Sequence, residues 1–180
     1  SEILSLLDMQ DSFFRTNDED ADKMVRGHKT GFFSPFVYDS PTYYGNTAAG
    51  YLVSNTSDLM KWMKNWSIES QDELGLVKDV LNYDVSEKGN YYAGWNIYEG
   101  YICHGGNNPN FSSQVIISRE KRQGVFVLSN LAGSSATNIG DGIYRLLLGD
   151  TIRIGLQTDT NGLVDFLSIV MALLLIYFTM

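Results

Sequence analysis

The chain has 180 residues, 44% hydrophobic and 13% aromatic, enough to bury one core and too apolar for a disordered segment. A formal charge of -8, a pI near 4.6 and the absence of any basic patch argue against a nucleic-acid partner. The single cysteine, Cys103, excludes an intramolecular disulfide, and two histidines among scattered carboxylates offer no metal-ligand spacing, so no cofactor or metal is expected.

The chain opens at Ser1-Glu2-Ile3 without an initiator Met or a charged-then-apolar leader, and reads as mid-domain sequence. Residues 1 to 50 hold turns and scattered aromatics, with Phe32-Phe33-Ser34-Pro35-Phe36 and Ser40-Pro41-Thr42-Tyr43-Tyr44 as aromatic loop carrying short extended pieces. The acidic runs Asp18 to Asp22 and Asp72 to Glu73 read as solvated loops. His28, near Arg26 and Lys29, reads as an exposed or locally bonded imidazole. Leu59, Met60, Trp62, Met63 and Trp66 form an apolar stripe at helical spacing, which predicts a helix over 57 to 67. Thr56 or Ser57 is the expected cap, and Asp58 suits the positive end of the helix dipole.

Asn82 to Gly89 reads as turn, followed by four strands: Tyr91 to Tyr98, Tyr101 to His104, Ser113 to Ser118 and Gly124 to Ser129. Glu99-Gly100 suits a tight hairpin, and Lys121 to Gly124 a second turn. The continuous apolar runs Val115-Ile116-Ile117 and Val125 to Leu128 imply a sheet buried on both faces. One covering helix is Asn138 to Leu148, with Ile139, Ile143, Leu146 and Leu147 on one side and Gly149 as its stop. Cys103 falls at a half-buried strand position as a structural thiol, and it points away from the face of His104 because neighbours in a strand alternate.

The tail differs in kind. Phe166 to Met180 carries no charge, and as a helix it reaches about 22 Å towards a hydrocarbon core of about 30 Å. It reads as the beginning of a membrane segment over 162–180, rather than a buried terminal helix, with Asp165 at the interface and 151–161 as a tether.

The strongest chemical signal is the strand ending His104-Gly105-Gly106, followed by Asn107-Asn108-Pro109-Asn110-Phe111-Ser112-Ser113. Glycines there let an extended substrate lie close to the main chain, and a free amide beside them can meet a developing oxyanion. In isolation the same residues also read as a Gly-rich turn. The succession Ala49-Gly50-Tyr51-Leu52-Val53-Ser54, Asp58-Leu59, Trp62-Met63, Gly94-Trp95, His104-Gly105-Gly106, Pro109 to Ser113 and Val127-Leu128-Ser129-Asn130 resembles the C-terminal half of class C β-lactamases and the related D-Ala-D-Ala peptidases and esterases.

That resemblance spans roughly residues 1 to 148 and implies a mixed α/β (α+β) fold, an antiparallel sheet flanked by helices, over a hydrolase portion at 1–150. It implies acyl transfer: a serine attacks a carbonyl, a lysine takes its proton, and a tyrosine assists the leaving group. His104 then stands at the third active-site motif, Gly105 and Gly106 line the substrate strand, and the Asn107 amide is one oxyanion donor. The implied substrates are peptidoglycan peptides, β-lactams or related amides and esters, on a membrane-anchored domain facing outside the cell.

Three matches to the family's motifs stand in the wrong order: Ser118-Arg119-Glu120-Lys121, Tyr44-Gly45-Asn46 and Lys29-Thr30-Gly31. Ser118 to Lys121 crosses from a strand end into a polar turn, where the lysine stays solvated and charged. Lys29-Thr30-Gly31 is expected in loop. The nucleophile is therefore expected upstream of Ser1, and this portion alone is expected to be inactive. The competing reading is a membrane protein of the same fold that holds a peptide or antibiotic without turnover, as an immunity or sensor protein would. A third is a soluble domain whose apolar tail is core.

Overall fold

Residues 91–129 form an antiparallel meander in the computed structural model, which describes residues 2–66, 75, 77–121, 123–151 and 160–179. The acidic pair Asp72-Glu73, most of the expected tether (152–159) and residue 67 lie outside the described residues. In chain order the elements begin with α1 (Glu2–Leu6), β1 (Phe13–Phe14), β2 (His28–Gly31), β3 (Ser34–Val37), α2 (Thr47–Gly50), β4 (Leu52–Val53) and α3 (Thr56–Asn65). Then follow α4 (Val77–Leu81), α5 (Val85–Lys88), β5 (Tyr91–Tyr92), β6 (Trp95–Ile97), β7 (Tyr101–Asn107), β8 (Ser112–Ser118), β9 (Gly124–Ser129), α6 (Ser135–Leu147) and α7 (Thr160–Thr179). The sheet order is β5-β6-β7-β8-β9, every neighbour antiparallel, with β1–β4 and β2–β3 as separate two-stranded pairs.

The expected strand over 91–98 is two strands. Ala93 and Gly94 take φ of 48° and 86°, the left-handed pair that a two-residue hairpin requires, and Gly94 carries it without a Cβ penalty. The Glu99-Gly100 hairpin forms as expected, closed by Tyr98 N–H donating to the Tyr101 carbonyl at 2.9 Å, with the two rings stacked. Asn82 to Gly89 is not all turn: α5 starts inside it, capped by the Asp84 carboxylate accepting from Ser86 N at 2.9 Å.

Both sheet faces are covered, as the continuous apolar runs require. On one face Trp95, Ile97, Ile102, Val115 and Ile117 meet Trp66, Val77 and Val80 from α3 and α4, with Trp62, Trp66 and Trp95 in mutual ring contact. On the other, Ile116, Val125 and Tyr144 pack with Tyr101, Cys103 and Val127 under α6. The α6 face reverses the expectation. Ala136, Gly140 and Tyr144 are buried, whereas Ile139, Ile143, Leu146 and Leu147 are exposed. Small residues win the inner face because α6 lies so close to β8 that a Cβ on Gly140 would sit 2.8 Å from Gln114 Cγ.

In α3 the buried stripe is Leu59, Trp62, Met63 and Trp66, while Met60, one residue out of phase, is exposed. The cap is Asn55, whose side chain accepts from Asp58 N at 2.9 Å, in place of Thr56 or Ser57. Asp58 does more than favour the dipole. Only 1% exposed, it accepts from Asp11 N at 2.9 Å and Ser12 Oγ at 2.8 Å and pairs with Lys61 at 3.3 Å, which pins the N-terminal segment to α3. Burial opposes its ionisation, but the bonds from Ser12, Lys61 and Asp11 prevail and hold its carboxyl below the ordinary value. The run Asp18 to Asp22 is likewise not wholly solvated, since Asp20 is buried and accepts from Thr16 N and Lys23 Nζ.

The helix α7 begins at Thr160, and its stretch Gly162–Thr179 is long and apolar enough to cross a membrane. From Leu163 onward its residues are exposed or half-buried, so the described residues do not enclose the apolar tail as core.

Candidate active site

The strand β7 outruns its neighbour. β6 pairs with it only through Asn96↔Cys103 and Ile97↔Ile102, whereas β8 pairs with it from Tyr101 to Asn107. His104 to Asn107 therefore forms a ladder with β8 on one side and has no strand partner on the other among the described residues. Backbone polar groups alternate sides along a strand. The Tyr101 carbonyl accepts from Tyr98 on the β6 side, and Asn108 N donates to the Phe111 carbonyl on the β8 side. Counting between these two points, the main-chain groups of Gly105 and Asn107 face the open edge.

Side chains alternate across the sheet in the same way. His104 and Gly106 lie on the face of Ile102 and Trp95, beyond the cover of α3 and α4, and His104 is exposed beside Tyr91, with ring centroids 6.4 Å apart. Gly105 turns to α6. A Cβ there would approach Gln114 Oε1 to 2.9 Å and Thr137 Oγ1 to 3.7 Å, and one on Gly106 would meet Ser113 Oγ at 2.5 Å. A side chain at either position would therefore displace a neighbouring side-chain oxygen. Cys103 points to the α6 side, half-buried, and burial with the nearby Asp141 carboxylate pushes its thiol pKa up, which removes thiolate character.

The end of the edge is anchored. Asn107 Oδ1 accepts from Gly133 N at 2.9 Å, and Asn108 Nδ2 donates to the Gly50 carbonyl at 2.9 Å, tying β7 to the loop before α6 and to the end of α2. Beside these residues opens a pocket of about 370 Å³, lined by Lys29, Thr30, Asn107, Asn108, Ala132 and Gly133 among others.

Lys29 and Thr30 correct the sequence reading. Lys29-Thr30-Gly31 is strand β2, not loop, and it reaches the pocket because His28 is stitched to the segment after β9. His28 N donates to the Asn130 carbonyl at 2.8 Å, its carbonyl accepts from Ala132 N at 3.0 Å, and its ring contacts Asn130. The imidazole is hydrogen-bonded, but to a partner 102 positions away. Composition carried no signal for this hairpin, because its turn residues are Phe32 and Phe33 at positive φ, where Asn and Gly are the usual choices.

The motif matches at Ser118 and Tyr44 carry no nucleophile. Ser118 is buried, and its Oγ accepts from Glu120 N at 3.3 Å and Lys121 N at 2.9 Å, a turn cap. Arg119 next to it clamps the Leu81, Tyr83 and Tyr98 carbonyls. Tyr44 donates its hydroxyl to Asp18, which raises its pKa. A second cavity of about 540 Å³ touches Ser12 and Ser54, but Ser12 Oγ is engaged by Asp58 at 2.8 Å and Ser54 at 2.7 Å. Among the described residues no three His, Cys, Asp or Glu side chains converge as a metal site.

The sequence profile of the family described as Beta-lactamase matches residues 1–150. The chain is 26% identical over 136 residues to Protein flp of Staphylococcus aureus strain MRSA252, a match covering 71% of this chain and 27% of that protein. Against Protein flp of strain N315 the identity is 27% over 128 residues, covering 67% of this chain and 25% of the relative. The chain thus spans about a quarter of the length of these curated relatives. It belongs to the serine β-lactamase/transpeptidase family, and its helices and antiparallel sheet carry that family's serine-hydrolase fold.

Proposed function

We propose that this member of the family supplies the substrate-gripping half of an acyl-enzyme hydrolase, with the open outer edge of β7 as its binding element. The observation that carries the reading is the run His104 to Asn107, paired to β8 on one side and unpaired on the other. An extended amide aligned on that edge meets the Gly105 main chain, which offers one donor and one acceptor to a peptide-like backbone. Its carbonyl then lies where the Asn107 N–H, together with the nucleophile's own amide, accepts the charge of a tetrahedral intermediate.

The nucleophilic serine and its lysine belong to the part of the polypeptide upstream of Ser1. Support comes from the coverage of only about a quarter of the relatives and from the one Ser-x-x-Lys spacing being a turn cap at Ser118. In the acylation step the serine oxygen bonds the carbonyl carbon, its proton passes to the lysine, and the leaving amine takes a proton as the C–N bond breaks; water reverses the sequence to release the acid. His104 stands where the family's third-motif cation stands, placed to bind a substrate carboxylate or to hold the proton network from the sheet side. Substrates of this chemistry are peptidoglycan stem peptides, β-lactams and related amides or esters. Residues 1–150 form the hydrolase portion, and α7, joined to it by a short tether that ends at Thr160 and not at residue 161, begins a membrane anchor that holds the domain outside the cytoplasm.

Labelling of the full-length polypeptide by a fluorescent penicillin or fluorophosphonate tests this. The expected result is covalent labelling that weakens by about tenfold or more in His104→Ala, within the range of lost acid–base or electrostatic assistance. Full-length protein that no acylating probe labels, yet binds peptide at this edge, would overturn the hydrolase in favour of a non-catalytic binding protein.

A further inference from the structure

The turn between β2 and β3 is built against ordinary preference. Phe32 and Phe33 both take left-handed φ, 50° and 61°, where a Cβ is strained and Gly or Asn is usual. Both rings also face outward, Phe32 at 76% and Phe33 at 58% exposure, with Phe36 and Val37 exposed on the strand behind them. A hairpin tip in water gains nothing from this, so the tip is shaped for an apolar surrounding.

The surrounding is indicated by what holds the tip. Phe33 N donates to Asp165 Oδ2 at 3.0 Å, and α7 packs against β2. Asp165 is the last charged residue before the uncharged stretch Phe166–Thr179 of the helix long and apolar enough to cross a membrane. Charged side chains at the end of such a helix mark the level of the headgroups, where aromatic rings are favoured. The hydrogen bond therefore sets Phe32 and Phe33 at the depth of the interface.

We propose that the β2–β3 hairpin docks on the lipid bilayer, with Phe32 and Phe33 inserted at the headgroup–acyl boundary beside α7. This rests on the membrane-anchor reading of α7 and not on the hydrolase reading. Lys29, which lines the pocket beside Asn107, lies three residues before Phe32, so that pocket edge is within roughly 10 Å of the docked tip at about 3.3 Å per residue. With α7, the docked tip gives the domain a second point of attachment to the bilayer.

The test uses the full-length protein in phosphatidylcholine liposomes carrying nitroxide lipids, with Phe32→Trp and Leu174→Trp variants read against the parent. The native Trp66 and Trp95 are buried and Trp62 packs against them, which keeps their contribution constant. The expected result is a blue shift and loss of Phe32→Trp emission with shallow-labelled lipid exceeding that with deep-labelled lipid, and the opposite order for Leu174→Trp. If Leu174→Trp is quenched but Phe32→Trp responds only to aqueous acrylamide, or to neither quencher because protein covers it, the docking proposal falls while the anchor stands. If Leu174→Trp is not quenched by lipid at all, the anchor itself fails and the proposal with it.

Discussion

The amide of Gly133 donates to the side-chain oxygen of Asn107 at 2.9 Å, so the loop leading into α6 holds the last residue of the unpaired edge of β7. A rigid support matters for the role proposed for Asn107, because an oxyanion donor is effective only when its direction is set before the reaction.

Removing that support with Asn107→Ala leaves the main-chain amide in place but frees its orientation. The expected loss in kcat/KM of the full-length enzyme is about tenfold to a hundredfold with little change in KM, below the loss from deleting a donor outright. Steady-state kinetics check it, and a pure KM effect would contradict it.

Gly106→Ala places a Cβ 2.5 Å from Ser113 Oγ, which must shift to admit it. Acylation by an active-site probe should fall, and Gly106→Ala/Ser113→Gly should recover much of it, because the second change removes the colliding oxygen. Equal labelling of the single variant and the parent would show that the strand has room it lacks here.

Gly140→Ala forces α6 away from Gln114, whose Cγ and Cβ lie 2.8 and 3.2 Å from the added methyl. Overpacking of this kind costs about 1–3 kcal/mol. Chemical denaturation should show that loss, and shortening the neighbour with Gln114→Ala should return part of it.

Asp58 makes stability depend on acid. Burial disfavours its charge, but its hydrogen bonds hold the folded-state pKa below the ordinary value of 3.8. A carboxyl lowered by folding stabilises fully above its unfolded pKa, and that contribution disappears as pH falls through the lower folded value. The Tm of Asp58→Asn should therefore trail the parent at neutral pH, and the gap should close only below pH 3.8. A gap of constant size down to pH 2 would contradict the assignment.

Much of the fold is legible from local pattern. The β9 boundaries, the Glu99-Gly100 hairpin, the helix with Leu59, Trp62, Met63 and Trp66 inward, and helices on both sheet faces all follow from periodicity and turn chemistry. His104 to Asn107 come from a local signal as well, a His-Gly-Gly strand end, and their role in a site is the proposal made above. The errors share one cause. Which face of α6 turns inward is decided by how closely the sheet approaches, and Gly140 over Gln114 outweighs the hydrophobic count that favoured Ile139 and Ile143. Lys29 and Thr30 reach the pocket only because His28 bonds to Asn130 and Ala132, contacts across about a hundred positions that no window of sequence contains. Asp58 is likewise a surface helix residue by local rules, and becomes a buried pin only when Asp11 and Ser12 fold onto it.

By itself the sequence determined β8 and β9 to within a residue, the inward Leu59, Trp62, Met63 and Trp66 of α3, the apolar tail and the glycines of the edge, because periodicity and missing side chains are properties of a residue and its near neighbours. Tertiary structure alone decided that β6 stops short of His104, leaving main-chain groups unpaired, and that Phe33 meets Asp165 at the foot of α7. Both depend on where separate segments end in space. Chain connectivity permits many such endings, and packing selects one.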